Sequence, residues 1–434
     1  MKTKKKSRHN NTTKKCPIRG TKTMNEKWII VELYGNAYER GFTHGYLLAK
    51  ELDHLKNVFP TIVKQEMNNE TIHHYLERAN RSLIKTVQTK FPEIYRELQG
   101  IVQGALYNGT IISLEFLIGW NAFSSFSDTP DRCSAFIATG EITKNGEIVM
   151  AHNTHINFLI GQFYNVVFKI FPKRGFDIVM QSMPGLVWSS SDWFLTSAGI
   201  VGCETTIGNI SYEPNYKKSP SFCRVRMATQ YGSSLDDYVT ILKKDNAGDY
   251  ANSWLLGDIQ NGEIMRFEMT KTVNSVEKTK NGAYFGANDP FSLTIRKKET
   301  TQKEGFGDNR FSSGMRTNRL NQLLYETYYG KVDRENAQKI IADHYDKGQC
   351  SKNGCTNTPN SRTICKHDDE NMFGAIDGKV LTTESAKKMR FYGRFGASCG
   401  QRHFRIAEYC KHHPNETKME TMISNIFSGK WIYI

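Results

Sequence analysis

With 434 residues, 38% of them hydrophobic and 12% aromatic, the chain can bury one large α/β core or two smaller ones, which excludes an intrinsically disordered protein. The formal charge of +14 suggests a nucleic-acid binder only until it is located. Residues 1–24 hold nine Lys or Arg and no acid, so nine of those fourteen charges sit in one polar arm, read as a disordered tail.

No apolar segment follows the lysines of that arm, as a secretory signal would require, and no run reaches the roughly 20 apolar residues of a membrane-spanning helix. The compartment therefore reads as reducing and cytoplasmic. Nine cysteines are many for such a protein, and an odd number for a fully disulfide-bonded one.

In chain order, residues 28–35 alternate as a strand and stop at a glycine. Residues 37–58 read as one helix, with Gly41 and Gly45 spaced for the close approach of a neighbour. Helical periodicity returns over 72–90 and 92–107, where Leu98, Ile101, Val102 and Ala105 share a face. Residues 114–121, with Ser113 as N-cap, form a short helix. Residues 25–132 are thus a mostly helical, propeptide-like lead. It ends in a loop of small and turn-forming residues, 124–130, that delivers the chain to Cys133.

There the apolar period changes from helical to alternating. Residues 134–139, a turn at 144–146 and residues 147–152 make a hairpin. Strand-like runs follow at 164–171, 177–182, 194–197 and 200–206. Residues 221–231 and 234–245 are helical, 253–257 and 263–268 a β-pair, 283–287 a strand, and 314–327 and 333–345 helices. Helices on both faces of stacked antiparallel sheets accommodate that order, an α+β arrangement.

The candidate chemistry centres on Cys133, which opens the hairpin, and on His152, nineteen residues later at the end of the second strand. A thiol attacks well only as thiolate and needs a base. Cutting the Arg132–Cys133 bond would free an α-amine, of ordinary pKa about 8, on the nucleophile's own residue. The same thiol could attack the Arg132 carbonyl in the uncut chain. His152 and His155 are three apart and point to opposite faces of a strand, which argues against a shared metal. Cys350, Cys355, Cys365 and His367 fit no common zinc-finger spacing and read as a disulfide or free thiols. No phosphate-cradling glycine loop or dinucleotide fingerprint is present. No metal and no organic cofactor are expected.

Several ordered motifs within 130–400 resemble a known family. They are Cys133-Ser134-Ala135-Phe136, Ala151-His152-Asn153-Thr154, Ser182-Met183-Pro184-Gly185, Ser190-Ser191-Asp192-Trp193, Glu204-Thr205-Thr206-Ile207-Gly208-Asn209, Tyr250-Ala251-Asn252-Ser253-Trp254, and the region of Arg316. The chain resembles the phospholipase B-like proteins, a branch of the N-terminal nucleophile hydrolases. Its lead, with Arg40-Gly41, His44-Gly45 and Glu97 to Ile101, is similar to the related penicillin acyltransferase-like autoproteolytic hydrolases.

The resemblance implies a four-layer αββα sandwich, with a hydrolase domain over 133–434 opened by Cys133. It makes Cys133 the nucleophile and His152 a group that tunes it. Asn252 becomes the oxyanion-hole asparagine, and Arg316 a neighbour of the nucleophile. Asn153, Thr205 and Thr206 become substrate-binding residues, with Asp192 a further candidate. His155 replaces an aromatic residue of the family pattern. The implied activity is cleavage of acyl ester or amide bonds, lipid acyl chains included, through a thioester, after self-processing at Arg132–Cys133. Acyl transfer to an amine, and a non-catalytic binding role for the basic tail, are the alternatives. The expected partners are a small-molecule or lipid substrate and, transiently, a membrane surface. No specific nucleic acid is among them, and the cleaved lead would stay associated.

Overall fold

Strands from the lead and from the region after Cys133 enter the same sheet. The computed structural model describes residues 18–127, 133–301, 305–351, 354–355, 360, 362–367, 372–401 and 403–434. Strands β1 (Gly20–Asn25) and β2 (Trp28–Gly35) form a hairpin in which Gly20 pairs with Leu33. The expected disordered tail over 1–24 is thereby corrected at its end, because residues from Gly20 onward belong to a strand; residues 1–17 lie outside the described ones.

The lead continues as α1 (Ala37–Leu47), α2 (Ala49–Glu66), α3 (Ile72–Lys90), α4 (Pro92–Tyr107) and α5 (Leu114–Asn121). Asn36 and Glu39 close a capping box at the start of α1. The single helix expected over 37–58 is two, because Leu48 leaves helical geometry (φ −107°, ψ 21°) and α2 then runs on to Glu66. Ser113 caps α5 as the sequence indicates. The glycine spacing in α1 is answered by glycines in α4. A Cβ on Gly41 would lie 1.9 Å from the Glu97 carbonyl oxygen, and one on Gly104 1.9 Å from that of Phe42, so the two backbones touch. Arg40 (2.7 Å) and Arg226 (3.0 Å) lock the contact by binding the buried Glu97 carboxylate. Burial alone would raise that carboxyl, but Arg226 and then Arg40 hold it below its ordinary value.

After Cys133 come β3 (Cys133–Gly140), β4 (Gly146–Asn157), β5 (Val166–Pro172), β6 (Ile178–Ser182), β7 (Phe194–Thr196), β8 (Ile200–Thr206), β9 (Asn252–Asp258), β10 (Glu263–Met269), β11 (Asn274–Thr279) and β12 (Gly282–Gly286). One sheet has nine strands in the order β1-β2-β5-β6-β7-β8-β9-β10-β11, antiparallel except where β2 runs parallel to β5. The other runs from β12 through β3 and β4 to the strands Asp377–Thr382, Tyr392–Phe395 and Ile432–Tyr433, with Phe373–Ala375 added beside β4. The sheets pack face to face, β3 and β12 lying over β8, β9 and β10. Helices α1–α5 and the helices Ser221–Tyr231 and Leu235–Lys243 cover the nine-stranded sheet. Ser312–Gln322 and Arg334–Ile341 cover the other. This is the expected four-layer αββα stack.

Two departures matter for the site. The lead supplies β1 and β2 to the nine-stranded sheet and shares its core, so the division at residue 132 is not a boundary between packed units. And β4 runs to Asn157 instead of stopping near residue 152, because Phe373–Ala375 pairs with its last three residues. His152 is therefore mid-strand.

Candidate active site

Alternation along β3 and β4 decides which side chains face the gap between the sheets. Cys133 lies opposite Thr154, Ser134 opposite Asn153, and Ala135 opposite His152. The inner row holds Cys133, Ala135, His152 and Thr154; the outer row holds Ser134, Phe136, Asn153 and His155. On the neighbouring strand, Lys379 pairs with His152 and so joins the inner row.

Cys133 is buried, and its main chain is gripped on both sides. Its N–H points at Asn288 Oδ1 (3.5 Å), and its carbonyl oxygen accepts from Arg316 Nη1 (2.6 Å). Arg316 is itself wholly buried. Its Nη1 also reaches Ser134 Oγ (3.1 Å), and its Nη2 donates to Asn288 Oδ1 (2.9 Å) and to the Ala287 carbonyl (3.2 Å). Asn288 in turn donates from Nδ2 to the Thr206 carbonyl at the end of β8 (2.8 Å). One asparagine thus links the start of β3 to the opposite sheet. It sits at φ 79°, a left-handed conformation that Asn tolerates better than most residues.

His152 Nε2 lies 3.1 Å from the Glu204 carbonyl oxygen, which fixes the proton on that nitrogen and leaves Nδ1 buried without a hydrogen bond. Burial, and then the charge of Lys379, hold the imidazole well below its ordinary pKa, so it is neutral. Beside it is an ion pair that the sequence reading missed. Lys379 Nζ, fully buried, contacts Asp377 Oδ2 (3.0 Å), Gln181 Oε1 (2.6 Å) and Thr154 Oγ1 (2.8 Å). Asp377 also accepts from the Thr154 N–H (2.8 Å) and from Gln181 Nε2 (2.8 Å). Its signal was present: a charged Asp377-Gly378-Lys379 alternation leading into the apolar Val380-Leu381.

Burial, and next the Glu204 carboxylate, push the Cys133 thiol well above its ordinary range, and Lys379 opposes them. Glu204 Oε1 lies 2.7 Å and Asp192 Oδ2 2.9 Å from the hydroxyl of Tyr250. Asp192 holds φ 52° while buried, a strained position of the sort that concentrates at functional sites.

The remaining predicted residues divide. Thr205 faces the other sheet: its hydroxyl occupies the place a Cβ on Gly286 would need, and it makes no hydrogen bond. Thr206, one residue on, turns the other way, to Tyr250 OH (3.1 Å), and lines a cleft of about 570 Å³. The two threonines therefore do not form one wall. Asn252 opens β9 directly opposite Thr206; it is buried and its Oδ1 has no partner. Asn153 is a correction. Its side chain points away from Cys133 and donates to the carbonyls of Ile341 (2.6 Å) and Ile364 (3.1 Å), so it is no substrate ligand in this geometry. The one-residue shift from His152 is enough to reverse its face. His155 follows it outward, to the Ile364 carbonyl (3.0 Å).

The cleft lies at the strand ends beside residues 206–210 and 249–251, and its other wall is 124–127, the last described residues before Cys133. That wall is anchored: Ser125 Oγ donates to Asp249 Oδ2 (2.7 Å) and Tyr216 OH to the Ser125 carbonyl (2.8 Å). Arg132, the other half of the expected cleavage site, lies outside the described residues. No helix among them is long and apolar enough to cross a membrane.

A family model, Phospholipase B, matches residues 94–279, a span holding Cys133, His152 and Asn252 and ending before Asn288 and Arg316. Phospholipase-B 81 of Drysdalia coronoides is 23% identical over 427 residues, covering 82% of this chain and 75% of that protein. Phospholipase B of Crotalus adamanteus is 21% identical over 447 residues, covering 84% and 79%. Among solved structures, a mutant conjugated bile acid hydrolase from Clostridium perfringens covers 60% of this chain and 88% of its own at 12% identity and a TM-score of 0.37. By the family-model match and these relatives, the chain is similar to phospholipase B hydrolases.

Proposed function

We propose that the protein is a self-processing cysteine hydrolase that releases acyl groups from ester or amide substrates, lipid acyl chains among them, through a thioester on Cys133. The observation that carries this reading is the two-sided hold on the Cys133 main chain, by Asn288 at its nitrogen and Arg316 at its carbonyl. A cysteine acting only through its side chain has no need of such a hold. One whose own nitrogen serves as base does.

In the uncut chain the thiol is suppressed by burial and by Glu204, which suits a dormant precursor. Processing begins with attack of Sγ on the Arg132 carbonyl. The peptide C–N bond breaks, the thiol proton passes to the departing nitrogen, and a thioester forms. Water then hydrolyses that thioester to the Arg132 carboxylate and a free thiol. The new α-amine, kept in place by Asn288 Oδ1, accepts the thiol proton in each turnover. The thiolate adds to the substrate carbonyl, the alcohol or amine leaves with a proton, and water releases the acid.

Asn252 is the proposed oxyanion donor, through its Nδ2–H: a buried amide placed opposite Thr206, whose carbonyl Asn288 holds. His152 orients the Glu204 segment and is a positioning residue. Arg316 fixes the Cys133 carbonyl. The polar cleft beside residues 124–127 would take the non-acyl part of the substrate, and a membrane surface could present lipid to it. The lead helices, packed in the common core, would stay bound after cleavage.

The test is a rapid quench with a lysophospholipid and, separately, an N-acyl amino acid, read by mass spectrometry with and without an added amine. The reading expects free fatty acid and an acyl adduct on the Cys133 peptide that hydroxylamine removes. Transfer to the amine at the expense of free acid would make the protein an acyltransferase. Absence of both product and adduct for either substrate would defeat the proposal.

A further inference from the structure

Behind β4, on the face away from Cys133, four side chains from three separate segments converge. His344 follows the helix Arg334–Ile341, Cys365 and His367 lie on the segment 362–367, and Cys399 follows the strand Tyr392–Phe395. One ligand atom from each lies within 4.8 Å of all the others. A tetrahedron of two thiolates and two imidazoles around zinc has donor–donor edges of about 3.3–3.8 Å, from the usual zinc–sulfur and zinc–nitrogen bond lengths. The pair Cys399 Sγ and His367 Nε2, at 3.5 Å, already lies on such an edge.

The surroundings are those of a ligand site, not of ordinary packing. His344 is 7% exposed, and its Nε2 is buried without a well-formed hydrogen bond. Its ring stands at 87° to that of His367, with centroids 5.1 Å apart. The backbone N–H of Gln401 points at Cys399 Sγ (3.4 Å), as amides commonly do toward metal-bound thiolates. Cys365 packs among the small residues Ala375 and Ala397. The frame is rigid: the Cys365 N–H donates to the Asp343 carbonyl (3.0 Å), and the Ala375 N–H to that of Lys366 (2.6 Å).

We propose that His344, Cys365, His367 and Cys399 bind one zinc ion. Four protein ligands leave no open position, so the role is structural: the ion clamps the chain after Ile341, the 362–367 segment and the turn at Cys399 onto the outer face of β4. The proposal departs from the expectation of no metal. It stands apart from every catalytic assignment. The spacing from Cys350 to His367 conceals the site because two of its ligands, His344 and Cys399, lie outside that stretch.

The full chain, purified reduced and without chelator, is assayed for zinc by elemental analysis and then exchanged into Co²⁺. The expected results are one zinc per chain, and a cobalt form with intense visible bands and a near-ultraviolet thiolate-to-cobalt transition. Cys399→Ser and His344→Ala should lose the metal, while Cys410→Ser, a buried cysteine outside the cluster, should keep it. Metal-free wild type after zinc loading, or a Co²⁺ spectrum without thiolate charge transfer, would overturn the proposal. So would peptide mapping of a Cys365–Cys399 disulfide in the reduced preparation. The cobalt spectrum is read on wild type and decides the matter even where a variant fails to fold.

Discussion

Strand β4 carries two kinds of chemistry on its two faces. Inward, His152 and Thr154 share a buried row with Lys379 and Cys133, and the charges of Lys379 and Asp377 both act on the thiol. Outward, Asn153 and His155 spend their hydrogen bonds on the carbonyls of Ile341 and Ile364, holding a helix end and a loop to the sheet. Four consecutive polar residues, all buried, therefore divide into a pair on the Cys133 face and a scaffolding pair by nothing more than the period of a strand. Burial alone does not identify a functional residue; the face does.

Substitutions on the two faces should separate, and the largest effect on stability belongs to the inner ion pair. Lys379→Met leaves Asp377 charged and uncompensated, and should cost about 3–5 kcal/mol in denaturant unfolding. Lys379→Met combined with Asp377→Leu should recover most of it. A single variant as stable as wild type would mean that the pair is not buried as described. Asn252→Ala should fold normally and lower kcat by about 10²–10³ with little change in KM, the signature of a lost oxyanion donor. A change confined to KM would reassign it to substrate binding. On the outer face, Asn153→Ala removes two hydrogen bonds to carbonyls that keep Ser398 and His155 as partners, and should destabilise by about 1–2 kcal/mol and leave kcat/KM unaltered. If activity fell with stability intact, the face assignment would be wrong.

A further effect is on pH dependence and is common to both faces. His152 and His155 are held neutral by burial, as is His44 in the lead, whose imidazole accepts from the Gly185 N–H and is pushed down from 6.5 to about 3. Below pH 6.5 the unfolded chain takes up protons that the folded chain refuses, so stability should fall steadily as pH drops from 6.5 toward 3. Thermal melts across that range test the sign; a flat profile would contradict it.

Much of the architecture was legible because its signals are local. Helices α3, α4 and α5 follow from apolar periodicity and the Ser113 cap, and β8 from an apolar run ending in threonines. The strand Asp377–Thr382 escaped because its first half is charged, and those charges make sense only against Gln181 and Thr154 from distant segments. Asn288 was missed for a related reason: an asparagine after a strand looks like a turn residue until Cys133, Arg316 and Thr206 gather around it. Asn153 was misplaced because nearness to His152 in sequence was taken for nearness in space. The placing of Cys133 and His152 on one face of adjacent strands, by contrast, needed only a hairpin, and a hairpin is what short-range pattern encodes well.

The central claim is that Cys133 becomes an N-terminal residue by its own action. Intact mass and N-terminal sequencing of purified wild type beside Cys133→Ala test it most directly. The account predicts fragments 1–132 and 133–434, still associated, from wild type, and one uncut chain from the variant. A wild-type chain that stays uncut while hydrolysing substrate, or a variant that is cut at the same bond, would contradict it.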